Sequence, residues 1–258
     1  MTSVAGGPAD SDWDSLWQRF DQAAQRNPAE LMRFRLGLRF LGLRDRPARV
    51  VDVGSGQGEL VSMISQRHPR AEVLGVELSA TGVRLGQARA PSARFLQWDL
   101  LADQSAPAEW SRWATDAVCS EVLEHVDEPA RLLRNARNFM APGCRLVVTV
   151  PGGPRSAFDL HIGHRRHYDP RALAELLTDA GFERVVTFGA GFPFFNLYRL
   201  AVVARGGRLV EDVAVKDEGG SLSRTARLTM RAFDLSFHLN LMATPWGWQI
   251  VGTARVPR

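Results

Sequence analysis

Four acidic residues, Asp52, Glu77, Asp99 and Glu121, follow one another at separations of 25, 22 and 22 residues. Each lies in or just after a short apolar run, at residues 50–53, 73–76, 95–98 and 117–119. The spacing is close to that of one strand–helix unit. It therefore gathers the carboxylates at one edge of a sheet, where open α/β sheets bind their ligands. Gly54-Ser55-Gly56-Gln57-Gly58 follows the first run. Glycines there let the chain turn tightly and approach a ligand, although such turns also occur for structural reasons alone. A dinucleotide fingerprint needs a further glycine where Glu59 stands, at the helix start that would hold a pyrophosphate. A carboxylate there opposes a diphosphate. A nucleoside ligand with a positive charge and no phosphate suits this edge better.

Histidines offer the second chemistry, general base catalysis. His125 follows Glu121-x-x-Glu124, and His161, His164 and His167 form an H-x-x-H-x-x-H run ahead of Asp169. Both groups fall at the same sheet edge. The competing reading of the run, flanked by Arg165, Arg166 and Tyr168, is a solvated loop held by local hydrogen bonds. His68 closes a surface helix and carries no expected chemistry.

The elements that must position these residues are legible from periodicity and punctuation. Trp13, Trp17 and Phe20 recur at helical spacing, and a second helix is expected over residues 28–43, with Asn27 as cap and Pro28 first. The stretch Arg44-Asp45-Arg46-Pro47 breaks it. From Arg49, strands at 50–53, 73–76, 95–98, 117–119 and 145–150 alternate with helices. Those helices are at 60–66, from Ser79 to residue 88, from Asp127 toward Gly143, and from Asp169-Pro170 to Gly181. Alternation of this kind implies βαβ units and a parallel sheet.

Composition sets the frame. The chain has 258 residues, 45% of them hydrophobic and 23% charged, which excludes disorder, collagen and coiled coil. Cys119 and Cys144 are too few for a disulfide framework, no secretory leader is visible, and a cytoplasmic location is expected. The net charge is +4, but Lys216 is the only lysine, and the arginines scatter with no block longer than Arg165-Arg166. That pattern fits genome composition better than a nucleic-acid surface.

Taken together, residues 50–58, Gly75-Val76-Glu77-Leu78-Ser79, Gln97-Trp98-Asp99 and Ser120-Glu121-Val122-Leu123-Glu124-His125 resemble the motifs of class I S-adenosylmethionine-dependent methyltransferases, in order and spacing. The nearest resemblance is to the ubiquinone-biosynthesis O-methyltransferase-like group, and it covers residues 49–186 with a closing strand near 249–254. It implies a Rossmann-like seven-stranded sheet, mostly parallel with an antiparallel last strand, with N-terminal helices and a helical insert before that strand. The cofactor residues it implies are Asp52 near the ammonium, Gly54, Ser55, Gly56 and Gly58 under the methionine, and Glu77 on the ribose. Leu78 would lie on the adenine face, Asp99 with Leu100 at the adenine amine, and Glu121 beyond. Trp98 is either an adenine wall or a core aromatic. His125, His164 and His161 are the candidate bases. In related ubiquinone and small-RNA 2′-O-methyltransferases, a set matching Glu121, Glu124 and His125, sometimes with a later histidine for which His164 or His161 could serve here, holds a divalent metal. The alternative is that these residues work without metal.

The implied organisation is a helical cap at 1–45, a core at 46–190 and 246–258, and an insert at 191–245. The insert is rich in aromatics and could be a lid over an apolar small-molecule acceptor, a homodimer interface or a peripheral membrane platform. Arg224, Arg227 and Arg231 would suit the last. The expected activity is O-methylation with histidine as base. The rivals are RNA 2′-O-methylation, N- or C-methylation of a small molecule, and a non-catalytic S-adenosylmethionine-binding subunit.

Overall fold

The computed structural model describes residues 13–14, 28–43, 46–216 and 224–258, except the side chains at 207–216 and 224–230. Trp17, Phe20, Asn27, Arg44, Asp45 and Leu222, and the side chains of Lys216, Arg224, Arg227 and Leu228, lie outside the described residues. Seven strands form one sheet: β1 (Ala48–Val53), β2 (Ala71–Glu77), β3 (Arg94–Gln97), β4 (Ala114–Ser120), β5 (Met140–Pro151), β6 (Glu183–Ala190) and β7 (Gln249–Arg255). Their order is β3-β2-β1-β4-β5-β7-β6. The first five are parallel, and β7 runs antiparallel between β5 and β6. This is the Rossmann-like sheet with an antiparallel last strand that the sequence implied. β1 and β4 are buried along most of their length because both faces of a parallel sheet are covered.

Eight described helices surround the sheet: α1 (Pro28–Leu41), α2 (Glu59–Arg67), α3 (Ala80–Arg89), α4 (Pro129–Ala136), α5 (Ala157–His161), α6 (Pro170–Asp179), α7 (Phe194–Lys216, kinked at Gly206) and α8 (Arg224–Phe237). One face of the sheet buries Leu38 and Leu41 of α1 with Leu60 and Ile64 of α2. The other buries Leu132 and Leu133 of α4 with Leu173 and Leu177 of α6. A third apolar cluster joins Met32 and Leu36 of α1 to Phe195 of α7 and Phe237 of α8. The Arg35–Asp234 ion pair ties α1 to α8 at 3.3 Å.

Caps fall where the sequence placed them. The Ser79 hydroxyl accepts from Gly82 N–H at 3.0 Å, and the Asp169 carboxylate accepts from Ala172 N–H at 2.8 Å. Two expectations change. The helix opening near Asp127 stops at Ala136, a 3₁₀ turn follows, and β5 begins at Met140. Gly143, at φ 77°, thus serves a strand irregularity rather than a helix end, where the β4 register shifts between Ala114 and Asp116. The loop after β5 contains the short helix α5, started by a reciprocal capping box between Ser156 and Asp159.

The glycines have a packing reason that the loop motif alone hides. A Cβ on Gly58, Gly75 or Gly86 would lie 2.8, 2.6 or 2.4 Å from the Phe95 ring. Three glycines from different elements thus accommodate one aromatic side chain of β3. Gly58 also has φ 77°, in the left-handed region, and its added Cβ would meet the Gly86 backbone at 2.9 Å. Gly58→Ala is expected to lower stability by about 1–3 kcal/mol through overpacking and backbone strain. Urea denaturation checks this, and an unchanged midpoint would contradict it.

Candidate active site

One cavity opens at the carboxyl ends of β1, β2 and β4. Among its lining residues are Asp52, Glu77, Asp99 and Glu121, the four carboxylates of the sequence period. Gly54, Ser55, Gly56, Leu78, Leu100 and His125 also line it. Gly58 is not among the lining residues, in keeping with its packing role against Phe95.

The Glu77 carboxylate accepts from Gly56 N–H at 2.8 Å and from Ser79 N–H at 3.0 Å, which fixes it between the glycine loop and the α3 cap. Asp99 accepts from Leu101 N–H at 2.7 Å through Oδ1. Leu78 stays exposed enough, at 36%, to offer an apolar face to a ligand. Trp98 lines the cavity and also meets Phe139 edge-on at 6.4 Å. Asp52 is 2% exposed, and burial, with the neighbouring Glu77 and Glu59 charges, pushes its carboxyl up to about 8. Arg89 pairs with Glu59, so the negative charge that argued against a pyrophosphate is partly offset.

The β4 side of the cavity is built differently. Glu121 adopts φ 56°, a left-handed conformation uncommon outside glycine. Its N–H donates to Thr149 O, and its carboxylate is held by Gln249 of β7 at 2.8 Å and Arg33 of α1 at 3.4 Å. Glu30, also from α1, is raised to about 7, mainly by burial and against the pull of Arg33. No local signal marked Arg33, Glu30 or Gln249, because each belongs to an element far from the motifs. Trp13 meets His125 edge-on at 5.2 Å, and the neighbouring Asp14 accepts from the Ser79 hydroxyl and from Thr81 N–H.

Behind His125 lies a buried polar group. Glu124 is fully buried, neither of its carboxylate oxygens has a hydrogen-bond partner, and burial raises its carboxyl well above the usual range. Burial also lowers His125, to about 4, so the ring is neutral at pH 7. Glu124 and His125 converge with His164, their ligating atoms lying within 4.8 Å of one another. His164 is thus placed as the later histidine of the implied set, while the Glu121 carboxylate is held by Gln249 and Arg33. His161 is exposed at the end of α5 and belongs to none of the clusters among the described residues. Its place beside His164 is taken by His167, at 3.1 Å. The orphaned oxygens of Glu124 fit a divalent cation, for which Glu124, His125 and His164 would be the ligands.

Asp159 anchors the histidine loop to the insert. Arg199 of α7 holds it through two hydrogen bonds of 3.0 and 2.7 Å, and the Ser156 N–H and hydroxyl each donate to it at 2.7 Å. Burial would raise this carboxyl, but the Arg199 and Ser156 donors bring it down to about 2. Cys119 and Cys144 are both buried and unpaired, and no described helix is long and apolar enough to cross a membrane.

A family model described as a methyltransferase domain matches residues 20–187. The chain is 32% identical over 144 residues to trans-aconitate 2-methyltransferase of Methylobacterium radiotolerans, covering 55% of this chain and 50% of that one. It is 33% identical over 126 residues to demethylmenaquinone methyltransferase of Thermus thermophilus, covering 46% of this chain and 55% of that one. The matched regions thus span about half the length of these relatives. Among solved structures, phosphoethanolamine N-methyltransferase 2 of Haemonchus contortus superposes with a TM-score of 0.61 at 15% identity, over 95% of this chain and 58% of the other. At that identity the likeness shows the fold alone.

The raised Asp52 carboxyl has a sign that can be tested with the cation implied by the resemblance. A bound cation favours the carboxylate, so below pH 8 binding must expel the Asp52 proton. Affinity for S-adenosylmethionine is expected to rise from pH 6 to 8, by up to about tenfold per pH unit for one proton, and to level above. Asp52→Asn should flatten most of the slope. Titration calorimetry showing a wild-type affinity independent of pH over this range would refute it.

Proposed function

This chain belongs to the methyltransferase domain family, and on that premise we propose that it is an S-adenosylmethionine-dependent O-methyltransferase acting on a hydroxyl of a small to medium, largely apolar molecule. The observation that carries this reading is the placement of His125, a neutral buried imidazole, in the same cavity as Asp52, Glu77 and Asp99. The β1–β3 side offers carboxylates and an apolar face for a charged nucleoside. The β4 side offers a base.

When bound, S-adenosylmethionine supplies an electrophilic methyl carbon on a sulfonium sulfur. Glu77 and Asp99 orient the nucleoside, and Asp52 complements the positive charge. His125 would accept the proton of the acceptor hydroxyl, whose oxygen would take the methyl group from the sulfonium as that bond breaks toward sulfur. Holding oxygen and methyl in line can be worth about 7–11 kcal/mol. The acceptor named for the trans-aconitate relative does not suit this cavity. A polycarboxylate such as aconitate would face Glu30 and Glu121, and the one arginine among the lining residues, Arg33, already serves them. A neutral acceptor meets no such repulsion among Trp13, Phe34 and Val122.

A second reading is favoured by the orphaned Glu124 oxygens. A divalent ion held by Glu124, His125 and His164 would lower the pKa of a nearby hydroxyl. Chelator-treated protein that keeps full turnover without added Mg²⁺, Mn²⁺ or Zn²⁺ removes this reading.

The principal test incubates methyl-labelled S-adenosylmethionine with the host's metabolite extract and identifies the labelled product by mass spectrometry. His125→Ala is expected to lower turnover by about 10²–10⁴-fold while S-adenosylmethionine affinity stays within a few fold. A variant with near-wild-type turnover would exclude His125 as the base.

A further inference from the structure

Trp13 and Asp14 lie far ahead of β1 in the chain, yet both reach the carboxyl edge of the sheet. Asp14 is attached on the β2 side. Its Oδ1 accepts from the Ser79 hydroxyl and, at 3.1 Å, from Thr81 N–H, at the start of α3. Trp13 is attached on the β4 side, where it lines the cavity and meets the His125 ring edge-on, the planes 83° apart. β1 stands between β2 and β4 in the sheet. Two consecutive residues therefore bridge the carboxyl end of β1, one by hydrogen bonds and the other by ring contact.

The two attachments differ in kind. An edge-on ring pair is a weak hold, whereas hydrogen bonds to a carboxylate are stronger and directional. Ser79 is also a fixed point. Its hydroxyl oxygen accepts from Gly82 N–H, and its own N–H donates to Glu77 at 3.0 Å. Fixing Asp14 there narrows the positions open to the adjacent Trp13. Asp14 is itself exposed and is not among the lining residues, so it acts through its neighbour and not on a ligand.

We propose that Asp14 is a positioning residue, whose latch on the start of α3 holds the Trp13 ring beside His125 as a wall of the acceptor end of the cavity. Trp13 and His125 line the same cavity and touch each other, so a group that reaches His125 lies next to the indole. Trp13 is then a specificity-determining residue, adding apolar surface to that of Phe34 and Val122. This assignment deepens the proposed transfer reaction and rests on it for its effect on the acceptor, whereas the latch rests on the contacts alone.

The test reads latch and acceptor separately. In the full chain labelled with fluorotryptophan, the Trp13 fluorine resonance is assigned through Trp13→Phe. It is expected to move toward the position of the free amino acid in Asp14→Ala. Both hydrogen bonds end on Oδ1, so Asp14→Asn keeps their acceptor and should restore the resonance. With methyl-labelled S-adenosylmethionine, the amount of host metabolite extract that gives half-maximal labelling should rise about tenfold in Asp14→Ala and return in Asp14→Asn. Affinity for S-adenosylhomocysteine should be unchanged in both. An aspartate with a merely structural role would lower the urea midpoint and leave half-saturation where it was. A resonance indifferent to Asp14→Ala, or not restored by Asp14→Asn, overturns the latch. A displaced Trp13 with unchanged half-saturation overturns its role at the acceptor end. A chain whose Trp13 responds as expected but which labels nothing in the extract refutes the proposed function, while the latch stands.

Discussion

The structure depends on the burial of acidic groups side by side at one sheet edge. Asp52, Glu77, Glu59 and Glu121 all line one cavity, where Arg33 pairs with Glu121 and Arg89 with Glu59. Burying an unpaired carboxylate is costly, and the usual outcome is a raised pKa and a retained proton. Asp52 shows that outcome most clearly, since its neighbours on two sides are also acidic. Glu77 follows the other course, stabilised by two backbone donors that keep it in place.

The opposite side of the site solves the same problem with neutral groups. Burial holds His125, His164 and His167 below their ordinary range and Glu124 above its own, so the core behind the cavity carries little charge. Asp159 keeps its charge, which Arg199 matches while Ser156 donates hydrogen bonds to it. One side chain of α7 thereby ties the helices between β6 and β7 to the loop after β5. Those helices are covalently remote from the motifs and mechanically close to them.

Much of the site was legible in the sequence because its signals are local. Asp52, Glu77, Asp99 and Glu121 stand at strand ends, and strand spacing follows from residue patterning within windows of ten to fifteen residues. Gly58 was legible as a glycine, but its neighbour is Phe95 of β3, and nothing within the loop announces that contact. The three-histidine run was seen as a unit, yet α5 ends at His161 and turns it to solvent, while the tight turn at Gly163 brings His164 back against Asp159. A capping box spanning Ser156 and Asp159 was the available clue.

The sequence by itself determined the fold class, the sheet edge and the presence of an acidic strand-end site, since apolar periodicity, caps and turn residues act over short distances. Tertiary structure decided which groups face one another. Gln249 meets Glu121 across 128 residues, and Arg199 meets Asp159 across 40. It also decided the protonation of the site. A carboxylate's charge state depends on how much water and which counter-ions surround it, and those come from elements that the local sequence does not contain.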